Sequence, residues 1–225
     1  HLSIRRQRQM CIRDSSIPWA VSIHTVTAFL YSGLAARPFW MTAVMAPRFL
    51  ATAFAAGPAL LIVIALFLRK VTRFDAGREP IQKLAVITTY AMLLNVFLLL
   101  MELFTAIYSD IPEHLDHFRY LFLGLGNSNA LVPWMWSSVI LAVISLVLLI
   151  VPSYRRNESL LAIAATAVFL SIWIDKGMGM VVTGFVPNPL HSVTEYLPTF
   201  PEVMITIMVW AFGALIVTLL YKIAL

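Results

Sequence analysis

Cysteine and charge are the two things this 225-residue chain has least of. Its single cysteine, Cys11, has no second cysteine with which to close an internal disulfide. One thiol with no further soft ligand is not an iron–sulfur or structural zinc site. Charged side chains make up 12% of the chain, about half the roughly 25% usual in soluble domains. Of the five histidines, His24 alone falls in a long apolar segment, so the pair of helical histidines that haem b needs is missing. There is no P-loop, no GxGxxG turn after a strand and no cluster of metal ligands, and Ser137 and Ser138 have no base beside them. These absences leave no ligand set for a redox cofactor held by this chain's own side chains.

What fills the chain instead is apolar. Hydrophobic residues account for 60% of it, and mean hydropathy is +0.87. That composition specifies an all-α membrane protein whose helices pack in lipid. Six segments reach the roughly 20 residues a bilayer requires, at about 17–36, 41–70, 81–109, 132–151, 158–182 and 202–224. The first is rich in serine and threonine.

Residues 1–15 stand apart from this domain, which runs over 16–225. Arg5, Arg6, Arg8 and Arg13 against Asp14 supply +3 of the net +5. The stretch QRQMCIRDS resembles translated adapter read-through, so 1–15 are expected to be an artefactual or disordered tail on a chain truncated at its N-terminus. With about +2 remaining, no nucleic-acid partner is expected.

Basic residues alternate between connections. Arg69, Lys70, Arg73, Arg78 and Lys83 follow the second segment, Arg155 and Arg156 follow the fourth, and Lys222 ends the sixth. The other connections carry Arg37 and Arg119 among Asp110, Glu113, Asp116, Glu195 and Glu202. By the positive-inside rule both chain ends are cytoplasmic in a bacterial or archaeal inner membrane. Residues 110–131 read as an interfacial helix. The proline-rich stretch 183–201 reads as a stiff outer lid.

Arg48, Glu102, Asp175 and Lys176 interrupt the apolar segments. Charge at membrane depth is costly and marks a functional site or its ion-pair scaffold. The predicted topology gathers all four in the outer half. Thr88, Asn95, Glu102 and Ser109 recur every seven residues, which places them on one helix face. Either Glu102 accepts protons at the end of a track through Thr88 and Asn95, or the stripe is packing glue. Asp175 and Lys176 are adjacent and point about 100° apart in an α-helix, so each needs a partner elsewhere: Asp175 with Arg48, or Lys176 with Glu102. Those pairs are compatible with catalysis and with simple neutralisation. Arg48 follows Pro47 and could hold an anionic or carbonyl oxygen, or snorkel to the interface. His24, with Tyr31 two turns on, suits proton exchange with a ligand or a plain hydrogen bond.

Four ordered blocks carry a family likeness: HTVTAFLY at 24–31, ARPFW with APRFLATAFAAGPA across 36–59, MELFTAIYS at 101–109, and WIDKGMGMVVTGFVPNPL at 173–190. Over 17–225 the chain resembles the NrfD/PsrC-type polysulfide-reductase membrane subunits, above all the membrane subunit of the dissimilatory-sulfite-reductase-associated electron transfer complex. The resemblance implies a quinone- or quinol-interacting subunit of a respiratory oxidoreductase, active in sulfur metabolism and anaerobic respiration. It implies menaquinone or ubiquinone as bound substrate. It also implies electron exchange with a ferredoxin-like iron–sulfur subunit, and further membrane or cytochrome subunits. Glu102 and Asp175 are then the expected proton-exchanging carboxylates, and His24, Tyr31, Arg48 and Lys176 the expected quinone contacts. Family members are usually longer, with eight to ten helices in two bundles. The rival expectations are a proton-conducting subunit and a passive membrane anchor.

Overall fold

The computed structural model describes residues 2–72, 74–126, 128–188, 192–194 and 197–224, with side chains throughout except those of 2–9, 13 and 224. Pro189 of the expected lid and Arg73 of the basic connection lie outside the described residues. The chain divides into two units, residues 1–194 and 195–225. The second holds one helix, α9 (Phe200–Ala224).

In the first unit, α1 spans Leu2–Ser32, α2 Met45–Val71, α3 Arg78–Ser109, α4 Pro112–Phe122, α5 Val132–Ile150, α6 Pro152–Arg156 and α7 Glu158–Ile174. From Ile174 the chain widens into a π-helix, Asp175–Val182, and tightens again in a short α8, Thr183–Phe185. Among the described residues there is no strand, and five helices are long and apolar enough to cross a membrane. The protein is an all-α, multi-pass membrane bundle.

Five of the six predicted segments form helices long and apolar enough to cross a membrane. The segment at 17–36 does form helix, within α1, but its serines, threonines and His24 keep it below the apolarity of the other five. Residues 2–15, set apart on composition, belong to the same α1 helix. The expected helix at 158–182 is α to Ile174 and π beyond it.

Small residues set the packing. Ala51, Ala55 and Ala59 line one face of α2, and Ala164, Ala165 and Ala167 lie along α7; all are buried. Without a hydrophobic drive between helices in lipid, close approach over small side chains supplies the contact energy. Ile62, Met92, Leu149 and Val168 complete this core. At its basic end, Glu158 takes the guanidinium of Arg69 from α2 and lies 3.3 Å from Arg78 of α3. Asn157 caps α7 by accepting from the Ser159 and Leu160 amides.

A second core lies at the opposite end, around Trp40, Met45, Phe118, Met135 and Met180. Here the π-helix is braced. The Trp40 indole donates to the Met180 carbonyl at 2.9 Å, and its ring lies where a Cβ on Gly184 would sit, 2.0 Å away. Gly179 likewise admits the Met135 sulfur, which would be 2.9 Å from an added Cβ. A larger residue at Gly184 has no room unless the indole moves.

Candidate functional site

Three helices meet at one guanidinium. Arg48 lies in the first turn of α2, Glu102 two turns from the end of α3, and Asp175 where α7 gives way to the π-helix. Arg48 donates through Nη1 to Glu102 Oε2 at 2.6 Å. Through Nη2 it donates to both Asp175 oxygens, at 2.8 and 3.0 Å. The three side chains are 7%, 10% and 13% exposed. A buried charge is tolerable only when paired and hydrogen-bonded. Arginine meets this demand with a planar fork that serves two carboxylates at once.

Lys176 is the fourth member and balances the set to zero net charge when all are ionised. Among the described residues its ammonium makes no hydrogen bond. It lies 3.9 Å from Asp175 Oδ2 and 4.8 Å from the centre of the Phe49 ring, within cation–π range. Two expectations about pairing are thereby decided. Asp175 pairs with Arg48. Glu102 pairs with Arg48 and not with Lys176. Asp175 and Lys176 are thus in contact although adjacent, at the start of the π-helix.

Tyr31 reaches the edge of this cluster. Its ring packs on Trp40 at 4.8 Å and on Phe49 at 6.1 Å, so it is joined to Lys176 through Phe49. His24 lies two turns back along α1, where its Nδ1 is 2.8 Å from the Ala20 carbonyl of the same helix. The stripe on α3 is present. Thr88, Asn95 and Glu102 all face inward, while Ser109, at the helix end, is exposed. The Thr88 hydroxyl donates to the Leu84 carbonyl at 2.9 Å.

On the far side of Asp175 lies a cavity of about 720 Å³. It is bounded by α3, α4, α5 and α7 and walled by residues such as Leu99, Leu103, Phe118, Val139 and Leu146. Its polar lining includes Asn95, Ser138, Ser171 and Asp175. The two serines are already committed to each other. Ser138 donates to the Ser171 carbonyl at 2.8 Å, and Ser171 donates to the Ser138 carbonyl at 2.9 Å. This clasp ties α5 to α7. Asn95 is different: it is buried, and among the described residues its Oδ1 makes no hydrogen bond. A buried polar atom left unsatisfied calls for a partner not otherwise present. The chamber therefore offers an apolar volume of ligand size, with an amide and an anchored carboxylate at one wall.

The charged residues and Asn95 stand out in the sequence; the chamber does not, nor does the part Ser138 plays. No serine on α5 is distinguished by composition. The chamber depends on how four helices are spaced, which periodicity along one helix does not report.

A family model described as "Polysulphide reductase, NrfD" matches residues 9–176. Among curated proteins, a putative membrane subunit of dimethyl sulfoxide reductase from Halobacterium salinarum is 28% identical over 230 residues, covering 90% of this chain and 50% of that protein. The chain thus spans about half the length of the curated relative it matches.

Proposed function

This chain belongs to the NrfD polysulphide reductase family, and from that premise we propose that it is the quinone- or quinol-interacting membrane subunit of a respiratory oxidoreductase complex. The observation that carries the reading is the chamber with Asn95 and Asp175 at one wall and Arg48 behind Asp175. A quinone has a flat ring with two carbonyl acceptors and a long apolar tail. The apolar walls suit the tail and ring, and the Asn95 amide can turn to donate to one carbonyl. Menaquinone and ubiquinone share these features.

Interconversion of quinone and quinol moves two electrons and two protons. The electrons pass to or from a ferredoxin-like iron–sulfur subunit of the complex, alongside further membrane or cytochrome subunits. For the protons, Asp175 Oδ is the acceptor or donor at the chamber wall. Arg48 fixes the orientation of that carboxylate through both oxygens. Because the same guanidinium also holds Glu102, protonating one carboxylate leaves Arg48 still paired to the other. Glu102, on the face shared with Asn95 and Thr88, is the next station for the proton. Lys176 and Tyr31 lie on the opposite side of Asp175 and hold its surroundings. The membrane is the cytoplasmic one, with the basic connections that carry Arg69, Lys70, Arg155 and Arg156 on its inner side.

Asp175→Asn tests the proton role, since it keeps shape and loses titration. The expected result is quinone affinity within a few-fold of wild type and quinol turnover reduced at least about a hundredfold, the lower range of general acid–base contributions. Unchanged turnover would remove Asp175 from the mechanism.

A further inference from the structure

A second, smaller cavity of about 140 Å³ lies on the other face of α4. It is too small for a drug-sized ligand, whose pockets run to about 300–1,000 Å³, and large enough for the tip of one long side chain. Its wall carries two carboxylates, Glu113 and Asp116, and the ring of His117. His117 is 4% exposed, and among the described residues its Nδ1 makes no hydrogen bond. Burial holds the ring neutral, its pKa pushed down to about 4. The carbonyls of Val186 and Thr183 face the ring and favour a proton there. With its proton directed at them, the neutral ring leaves Nδ1 as an acceptor. Asp116 has Arg119 at 3.4 Å, a pair at the outer limit of hydrogen bonding; Glu113 is exposed. Acceptors thus dominate the titratable lining of this pocket, and a donor-rich cation is what completes it. Among the described residues no group of three or more His, Cys, Asp or Glu could hold a metal ion.

We propose that this pocket receives a lysine or arginine side chain from a neighbouring polypeptide of the complex, so that Glu113, Asp116 and His117 form a docking point at this end of the bundle. The proposal rests on the reading of the chain as a complex subunit. The size favours a single side chain, and the two carboxylates supply the charge complementarity that steers and registers such contacts. The buried acceptor of His117 supplies the directional part, because a partner atom there satisfies a group that otherwise has none.

The experiment uses the complex purified through this chain with its neighbouring subunits co-expressed, washed at rising salt, with the retained subunits quantified. The double variant Glu113→Gln, Asp116→Asn is expected to weaken retention about tenfold near 0.1 M salt and to flatten its salt dependence, since exposed charge pairs are screened within about 10 Å there. Arg119→Gln, which breaks the Asp116 pair and leaves both carboxylates, should retain the subunits as wild type does. Equal retention by the double variant, equal loss in Arg119→Gln, or no co-purifying subunit at all would each overturn the proposal. Quinone binding by the same preparations separates the two readings. Its absence with salt-sensitive retention intact would sink the quinone reading alone; its presence with retention unaffected by the double variant would sink the docking point alone.

Discussion

Arg48 holds carboxylates from two other helices with one guanidinium, so its removal strands two buried negative charges. Arg48→Leu should lower the unfolding free energy by about 3–5 kcal/mol, the usual consequence of breaking a buried ionic network from one side. Arg48→Lys should recover only part of this, because a single ammonium lacks the fork that spans Glu102 and Asp175. Denaturant unfolding in detergent reads both variants, and wild-type stability in Arg48→Leu would show the network to be structurally idle. His117 gives a second residue-scale expectation. Its folded pKa of about 4 lies below the unfolded value near 6.5, so the unfolded chain binds the proton first as pH falls. Stability from this group is complete above about pH 6.5 and is lost on acidification toward pH 4, by at most about 3 kcal/mol. His114 opposes and Asp116 favours protonation of the ring. Thermal unfolding at pH 7 and pH 5 should therefore show a smaller acid shift in His117→Phe than in wild type; equal shifts would contradict the assignment. The charged residues were legible in the sequence because charge inside an apolar run is rare. The burial of His117 was not, since α4 is a short mixed-polarity helix and its burial comes from Phe39, 5.3 Å away across the chain fold.

At the scale of elements, the Ser138–Ser171 clasp joins α5 to α7 through two reciprocal hydrogen bonds. Interhelical hydrogen bonds in membrane proteins average about 0.6 kcal/mol. Ser138→Ala and Ser171→Ala each remove one donor and leave the other helix's carbonyl in place, so each should lower stability in denaturant unfolding by about 0.6 kcal/mol and the two losses should add; no loss in either would mean the clasp is incidental. The helices α3 and α5 were legible to within three residues, because long apolar runs bounded by charged or proline-containing connections mark them: 81–109 and 132–151 were predicted, and Arg78–Ser109 and Val132–Ile150 form. The π-helix was not. An i→i+5 pattern has no compositional signature beyond Gly177 and Gly179, and what holds it is tertiary: the Trp40 indole on Met180 and the Met135 sulfur against Gly179.

Within residues 1–194, the two ends of the bundle carry different charge networks. The end carrying Arg69, Arg78 and Glu158 ties α2, α3 and α7 together. The other end gathers Arg48, Glu102, Asp175 and Lys176 beside the large chamber. The gathering of these four at one end followed from sequence, because alternating basic connections order the helices before any contact is known. The chamber itself did not follow, because it is the space left where α3 and α5 stand apart. In the proposed function this space takes a quinone. Titration of the detergent-purified chain with a quinone analogue, followed by tryptophan quenching, tests it most directly when wild type is compared with Asn95→Leu and with Val139→Trp, which projects an indole into the chamber. Stoichiometric binding is expected in wild type, with at least about tenfold weaker binding in Asn95→Leu and in a folded Val139→Trp. Wild-type affinity in both variants would contradict it.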